Sequence, residues 1–343
     1  MSVPDVAKGV LVEATPSFLS EITNDIDVEL TPASAYTITP TNDSTKAVLL
    51  AYPSGVYTVA RTVRGSGVHQ LDAHLKRIVE GCRGVEFNRG AAGETHKHAM
   101  GEPAEIATAM QPFRDPLLGA RLVRSAMGVA LREWRQASLS RHDVEAKIAV
   151  LVTYDKLEKR ARLICHVDAL FPPASQPVGV MVDGPPRQNA AVKDTQWIRD
   201  RTHLERHLSS EISEVVLYDA VAGTLYEGLT TNLCVLTSDP IGGHAYLASA
   251  PAGTVLEGTM LRLVHQVCGE MGLEVRRECL AVETRGSWKA AFLTSVAKPV
   301  VEVGLMRFAD GSREWVLETG DEVVREIRRR VREHLTKLET RGK

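Results

Sequence analysis

A chain of 343 residues with 44% apolar and 24% charged side chains has enough hydrophobic material for a packed core and is long for a single one, so two packed units are expected. Its 41 basic and 43 acidic residues leave a net charge of −2, which excludes a whole-surface field that would gather nucleic acid or an anionic membrane. No run reaches the roughly 18 apolar residues of a membrane span. The first thirty residues lack a signal-peptide pattern, and the 5 cysteines are scattered without a C-x-x-C pair, so a reducing, cytoplasmic setting is expected.

Residues 1–45 mix acidic, Pro, Ser and Thr positions with few apolar clusters and read as a poorly packed extension. A short apolar run, AVLLAY, leads to GVYTVARTV, whose alternation predicts a strand. LDAHLKRIVEGCRGV then places Leu71, Leu75, Ile78 and Val79 at helical spacing, with Asp72 in the first turn where negative charge is favoured. NRGAAGETHKHAMGE is Gly-rich and polar, hence a loop. Asp115-Pro116 opens a helical pattern through Leu118, Leu122, Ala126, Val129 and Trp134. KIAVLVTYD and ARLICHVDAL flank the charged turn KLEKR and predict a hairpin.

FPPASQP, with three prolines in seven positions, is the expected linker. Beyond it VGVMVD, SEVVLYD, TNLCVLT, AYLASA, AAFLTS and PVVEVGLMRF predict strands. WIRDRTHLERHLSS and GTMLRLVHQVCGEMG predict helices, the second ending near Gly272. In the last helix Val324, Ile327, Val331, Leu335 and Leu338 form one stripe, so its arginines read as a solvated face. The expected organisation is an α/β (α+β) two-domain chain: an extension at 1–45, a small α/β domain at 46–172 and a larger domain with a mixed sheet at 173–343.

The sequence holds no G-x-S-x-G, HExxH, Walker loop or dinucleotide-binding glycine fingerprint. His96 and His98 lie two apart without a third ligand, so no metal site is expected. Cys234, on an apolar strand, reads as core. Four pieces remain, in the order LDAHLKRI, AVKDTQW, LYEGLTTNLCVL and VLEGTMLRL.

From about Tyr52 to Val303 these pieces resemble the class IV aminotransferases, the group that includes branched-chain and D-amino-acid aminotransferases and aminodeoxychorismate lyase. Glu227, Gly228 and Asn232 stand in the family's E-G-x-x-x-N pattern, and Lys193 lies 34 residues upstream of the glutamate, where the family has its lysine. The resemblance implies a fold of that family, with a small N-terminal and a larger C-terminal domain and pyridoxal 5′-phosphate between them. Lys193 is then the catalytic Schiff-base lysine, and Glu227 the partner of the pyridine nitrogen.

It also implies Arg77 for the phosphate, with the backbone of Gly258 and Thr259 at a helix start and with Thr294 and Ser295. Tyr57 and Trp197 are expected at the substrate. The departures are Met260 and Val296 at positions where the family has threonines, Ile198 where several members have a tyrosine, and Thr58 where a glutamate stands. Arg61, Arg64 and Arg199 are candidates for a substrate carboxylate.

The implied activity is amino-group transfer between an amino acid or amine and a 2-oxo acid, by a homodimer, with small molecules rather than nucleic acid or membrane as partners. The alternatives are carbon–carbon lyase chemistry of the aminodeoxychorismate lyase kind, or a weakly active or non-catalytic member that keeps the fold.

Overall fold

The computed structural model describes residues 8–20, 33–64, 67–88, 101–137, 144–171, 177–239 and 242–336. The chain forms two compact units, Met1–Phe171 with Val192–Asp200, and Pro172–Ala191 with Arg201–Lys343. Among the described residues no helix is long and apolar enough to cross a membrane.

The first unit comprises β1 (Gly9–Ala14), α1 (Pro16–Ser20), β2 (Tyr36–Thr41), α2 (Thr45–Ala51), β3 (Gly55–Val63), β4 (Gly67–Val68), α3 (Leu71–Gly84), α4 (Ala104–Arg114), α5 (Pro116–Gln136), β5 (Ala146–Asp155), β6 (Arg160–Ala169) and α6 (Gln196–Asp200). Its strands form an antiparallel sheet in the order β2-β1-β6-β5-β3-β4. Successive side chains of a strand point to opposite faces, and the burial follows that rule. Ile148, Val150 and Val152 of β5 and Leu163, Cys165 and Val167 of β6 join the core with α3, α4 and α5. Leu151 and Ile164 point the other way, into a smaller cluster with Tyr57 and with Val48 and Leu49 of α2.

Helix α5 starts as its sequence dictates. Asp115 caps it by accepting from the Leu117 and Leu118 amides at 2.9 and 2.7 Å, and Pro116 occupies the position where a missing N–H costs nothing.

Two expectations are corrected here. Residues 9–14 and 36–41 are not part of a loose extension but paired strands, because Val10, Val12 and Ala14 alternate into the core and β1 hydrogen-bonds to both β2 and β6. The segment Val192–Asp200, expected with the larger domain, packs with the first unit. Helix α4 falls just after the stretch read as a Gly-rich loop, and most of that stretch, with His96 and His98, lies outside the described residues.

The second unit comprises β7 (Val178–Val182), β8 (Ile212–Asp219), β9 (Thr224–Gly228), β10 (Asn232–Ser238), β11 (Ala245–Ser249), α7 (Thr259–Glu270), β12 (Glu274–Arg277), β13 (Leu280–Ala281), β14 (Trp288–Thr294), β15 (Val301–Phe308), β16 (Glu314–Val316) and α8 (Glu322–Thr336). The mixed sheet runs β12-β11-β10-β14-β15-β7-β8-β9-β13, with β16 on β15. It is parallel at β11–β12, β15–β7 and β7–β8.

A further pairing of β9 with β10, at Glu227 opposite Asn232, turns six of these strands into a closed ring. Closure explains the unbroken apolar runs. Leu233 and Val235 of β10 face the core shared by the ring strands, whereas Cys234 and Leu236 face α7 and α8, so neither face is left for water. On α8 the stripe of Val324, Ile327, Val331 and Leu335 is buried in that outer core.

The contact of α3 with β3 is close enough to exclude a side chain at Gly81, whose Cβ would stand 2.5 Å from Val56 Cγ1. Gly128, on the exposed side of α5, would meet nothing within 4 Å. Gly81→Val should therefore lower stability by about 1–3 kcal/mol and Gly128→Ala raise it by up to about 1 kcal/mol, both read from urea-denaturation midpoints. Equal effects of one sign would contradict this packing.

Candidate active site

Lys193 is positioned by strand-like addition to the start of β3. The Tyr57 amide donates to Lys193 O at 2.9 Å, and the Thr195 amide donates to Gly55 O at 2.9 Å. The Gly55 amide donates to Thr195 Oγ1 at 3.0 Å, and Val56 and Asp194 form an antiparallel bridge. Gly55 is required because a Cβ there would collide with Val152 O and lie 2.9 Å from Thr153 Cα. Main-chain bonds thus hold the Lys193 segment against β3.

The Lys193 amine stands 4.8 Å from the centroid of the Tyr57 ring, a cation–π geometry that orients an ammonium over the aromatic face. The ring itself is buried against Leu151, Ile164 and Ile198. Ile198 is therefore a core residue, and a tyrosine there would have to displace this cluster. Trp197 is half-buried at the start of α6, its amide donating to Asp194 O at 3.2 Å.

Arg77 is half-buried on α3, the helix anchored by Leu75, Ile78 and Cys82. Its neighbour His74 is buried, with Nδ1 2.8 Å from Thr58 Oγ1, so the residue that stands in place of the family's glutamate makes a polar pair inside the first unit. The three further arginines separate on geometry. Arg199 is committed to structure, donating to Tyr52 O at 2.8 Å and to Leu50 O, Thr195 O and Ser54 Oγ at 3.3 Å each. Arg64 is exposed, in a left-handed conformation at φ 50°. Arg61 is half-buried; burial disfavours its charge and pushes its pKa down, while the nearby Glu145 carboxylate opposes that shift.

In the second unit the E-G-x-x-x-N residues form the connection of β9 to β10. Glu227 is 5% exposed, and its Oε2 accepts from the Leu256 amide at 3.0 Å. Asn232 Nδ2 donates to the carbonyl of the same Leu256 at 2.8 Å. The intervening turn admits no side chain at Gly228, whose Cβ would collide with Thr231 Oγ1 and lie 2.8 Å from Glu214 Cγ. Glu214 in turn accepts from Thr230 Oγ1 at 2.6 Å, from the Thr230 amide at 3.3 Å and from the Val215 amide at 3.1 Å. Arg201 Nη1 donates to Leu229 O at 2.6 Å. Glu214 and Arg201 thereby satisfy the Thr230 amide and hydroxyl and the Leu229 carbonyl of the turn.

Gly258 opens α7 in an extended conformation, and a Cβ on it would stand 2.5 Å from Asn232 Oδ1. Only glycine lets Asn232 approach the helix start, where backbone N–H groups lack helical acceptors. Thr259 is buried, and among the described residues its Oγ1 has no hydrogen-bond partner; the same holds for Thr231 Oγ1. Met260 instead points into the core with Leu263 and Val264. Thr294 is the strand partner of Asn232, but its hydroxyl donates to Pro299 O at 2.7 Å, and Ser295 Oγ accepts from the Lys298 amide at 3.2 Å. Thr259 is the first residue of α7, and an unpaired hydroxyl at a helix N-terminus is suited to an anion.

The residues expected at the site thus fall into two groups. Lys193, Tyr57, Trp197 and Arg77 belong to the first unit, and Glu227, Gly258, Thr259, Thr294 and Ser295 to the second. Lys193 is brought onto Tyr57, and Glu227 onto the Asn232–Leu256–Gly258 group. Three contributors escape sequence reading: Thr231, which sits inside the E-G-x-x-x-N spacing; Glu214, which braces the turn; and Leu256, which acts through its backbone. Among the described residues no group of three or more His, Cys, Asp or Glu could hold a metal ion. Cys234 is buried core, its thiol pKa pushed up by burial.

Residues 55–305 match the family model for amino-transferase class IV. Search of curated protein sequences finds no match. Among solved structures, a fold IV-transaminase from Curtobacterium pusillum is 15% identical, with a TM-score of 0.66 over 96% of this chain and 100% of that one. A branched-chain aminotransferase from Thermoproteus uzoniensis, solved with norvaline, is 15% identical with a TM-score of 0.57 over 89% of this chain and 93% of that one. An aminotransferase from Brucella abortus bound to the cofactor PLP is 15% identical with a TM-score of 0.60 over 95% of this chain and 98% of that one. At these identities the likeness is one of fold.

The close approach of Asn232 to Gly258 has a measurable signature. Gly258→Ala should cost about 1–3 kcal/mol of stability in the native sequence and less than half as much in an Asn232→Ala background, where the colliding oxygen is gone. The same cost in both backgrounds would show that Gly258 does not serve to admit Asn232.

Proposed function

The chain belongs to the class IV aminotransferase family, and from that premise we propose that it binds pyridoxal 5′-phosphate as a Schiff base on Lys193 and moves an amino group between an amino acid or amine and a 2-oxo acid. The observation that carries this reading is the buried Glu227 carboxylate, fixed by the Leu256 amide, together with the unpartnered Thr259 hydroxyl at the start of α7. A buried carboxylate suits a protonated ring nitrogen, and buried donors without acceptors suit a phosphate.

When bound, the cofactor supplies an electrophilic carbon for the substrate amine and a ring that withdraws electrons from the carbon losing its proton. The residues of the chain do the rest. Lys193 Nζ holds the cofactor and, once released from it, carries the proton to and from the substrate carbon, so it must then be neutral. Glu227 keeps the pyridine nitrogen protonated. Arg77 supplies a positive charge for the phosphate, and the Gly258–Thr259 backbone, Thr259 Oγ1 and the Thr294–Ser295 turn supply neutral contacts. Because the Thr294 proton is committed to Pro299 O, Thr259 is the stronger hydroxyl donor.

Tyr57 holds the Lys193 amine over its ring and, with Trp197, forms apolar surface for the substrate. The proposal extends to a homodimer acting in the cytoplasm on a small-molecule amino donor and a 2-oxo acid acceptor.

Saturating the protein with pyridoxal phosphate should produce a visible absorption band that is absent in Lys193→Ala and that an amino donor converts to the band of the aminated cofactor. Glu227→Gln should keep the cofactor while slowing turnover well over tenfold, equivalent to more than about 1.4 kcal/mol of barrier. A colourless wild type would reject the cofactor, and pyruvate release from aminodeoxychorismate without amination of the cofactor would reject the transferase.

A further inference from the structure

The Leu256 amide that fixes Glu227 belongs to an irregular connection, residues 250–258, whose sequence APAGTVLEG contains two glycines and a proline. Composition alone would leave such a segment loosely held. Inside it, Thr254 donates through its amide and hydroxyl to Pro251 O at 3.3 and 2.8 Å, and Val255 is buried. These contacts shape the middle of the connection but do not fix its ends.

The ends are joined by one side chain. Arg277 lies on β12 opposite Ser249, the last residue of β11. Its Nε donates to Ala250 O at 3.0 Å, and its Nη1 donates to Glu257 Oε1 at 2.7 Å. Ala250 begins the connection; Glu257 lies next to Leu256 and directly before the Gly258 cap of α7. Only the planar guanidinium fork reaches both acceptors, since an ammonium is a single point of charge. The Arg277 Nη2 is buried without a hydrogen-bond partner among the described residues, so the group is held in place by the two bonds it does make.

We propose that Arg277 is a positioning residue: by joining Ala250 to Glu257 it fixes the Leu256 amide against the Glu227 carboxylate and sets the start of α7. The charges around it are consistent with a permanent clamp. The Glu257 carboxyl pKa lies below its ordinary value, with the hydrogen bond from Arg277 the largest cause and the charges of Arg277, Arg262 and His265 acting in the same sense. Because this pKa is depressed, the contribution of the pair is present at neutral pH and is lost only as the pH falls through the folded value. His265, 3.1 Å from Ser249 Oγ, is pushed down to about 4 by burial and by Arg277, so it is uncharged at neutral pH.

The effect on a bound cofactor rests on the role given above to Glu227; the clamp itself is a property of the chain alone. It is tested first on the cofactor-free protein by amide hydrogen exchange. Arg277→Met should speed exchange of the Leu256 amide at least tenfold while the Leu236 amide in β10 keeps its protection, and Arg277→Lys should fall between the two. Glu257→Gln should speed the Leu256 amide less than Arg277→Met, because Arg277 still reaches Ala250 O.

With pyridoxal phosphate bound, Arg277→Met should shift the visible band and lower kcat while leaving KM for the donor within about twofold. Unchanged exchange at Leu256, or equal acceleration at Leu256 and Leu236, would overturn the proposal. A colourless wild type would reject the Glu227 reading, and the exchange data would still decide the clamp.

Discussion

Glu227 and Asn232 meet where β9 closes on β10, and both side chains grip the main chain of Leu256, one through its amide and the other through its carbonyl. Three things depend on that arrangement at once. It closes the six-stranded ring around the core of the second unit. It brings the 250–258 connection against the ring. It sets the Gly258 start of α7 against Asn232, where any larger residue would collide. The carboxylate proposed to serve the cofactor is thus also a structural acceptor. Its removal disturbs fold and site together, whereas Glu227→Gln keeps the shape and changes the charge.

The first unit solves the corresponding problem for Lys193 in the same way. Backbone bonds to β3 carry the positional load, and the side chain is left to lie over Tyr57. A reactive lysine on a free loop would lose its position to conformational entropy; tied by main-chain bonds to a strand of a packed sheet, it does not. The apolar bed beneath it, with Ile198 at the centre, is continuous with the packing of α2 on the sheet. That continuity is why position 198 carries an aliphatic residue.

Much of this was legible in the sequence where burial is two-sided or periodic. The apolar runs of β10, β14 and β15, the α5 cap at Asp115-Pro116 and the α8 stripe announce themselves through local pattern. The E-G-x-x-x-N spacing and the lysine upstream of it point to the site through family resemblance. What stayed hidden depends on distant partners. Residues 9–14 alternate like a strand, but the pairing that ties them into the sheet is with β6, far along the chain, as well as with β2. The assignment of Lys193 to the first unit depends on hydrogen bonds between Lys193 and Tyr57 and between Thr195 and Gly55, which no local propensity encodes. Leu256 contributes an amide, which every residue except proline carries, so its side chain gives no sign of the role. The short helix α2 was obscured because AVLLA is too brief to show a helical period, although Ser44 caps it by accepting from the Ala47 amide.

The central claim is that one lysine, Lys193, bonds covalently to pyridoxal phosphate. Incubating the protein with the cofactor, reducing with borohydride and mapping the modified peptide by mass spectrometry tests it directly. A phosphopyridoxyl group on Lys193, absent from the other lysines and from Lys193→Ala, is the result expected; a group on a different lysine, or none at saturation, would contradict the account.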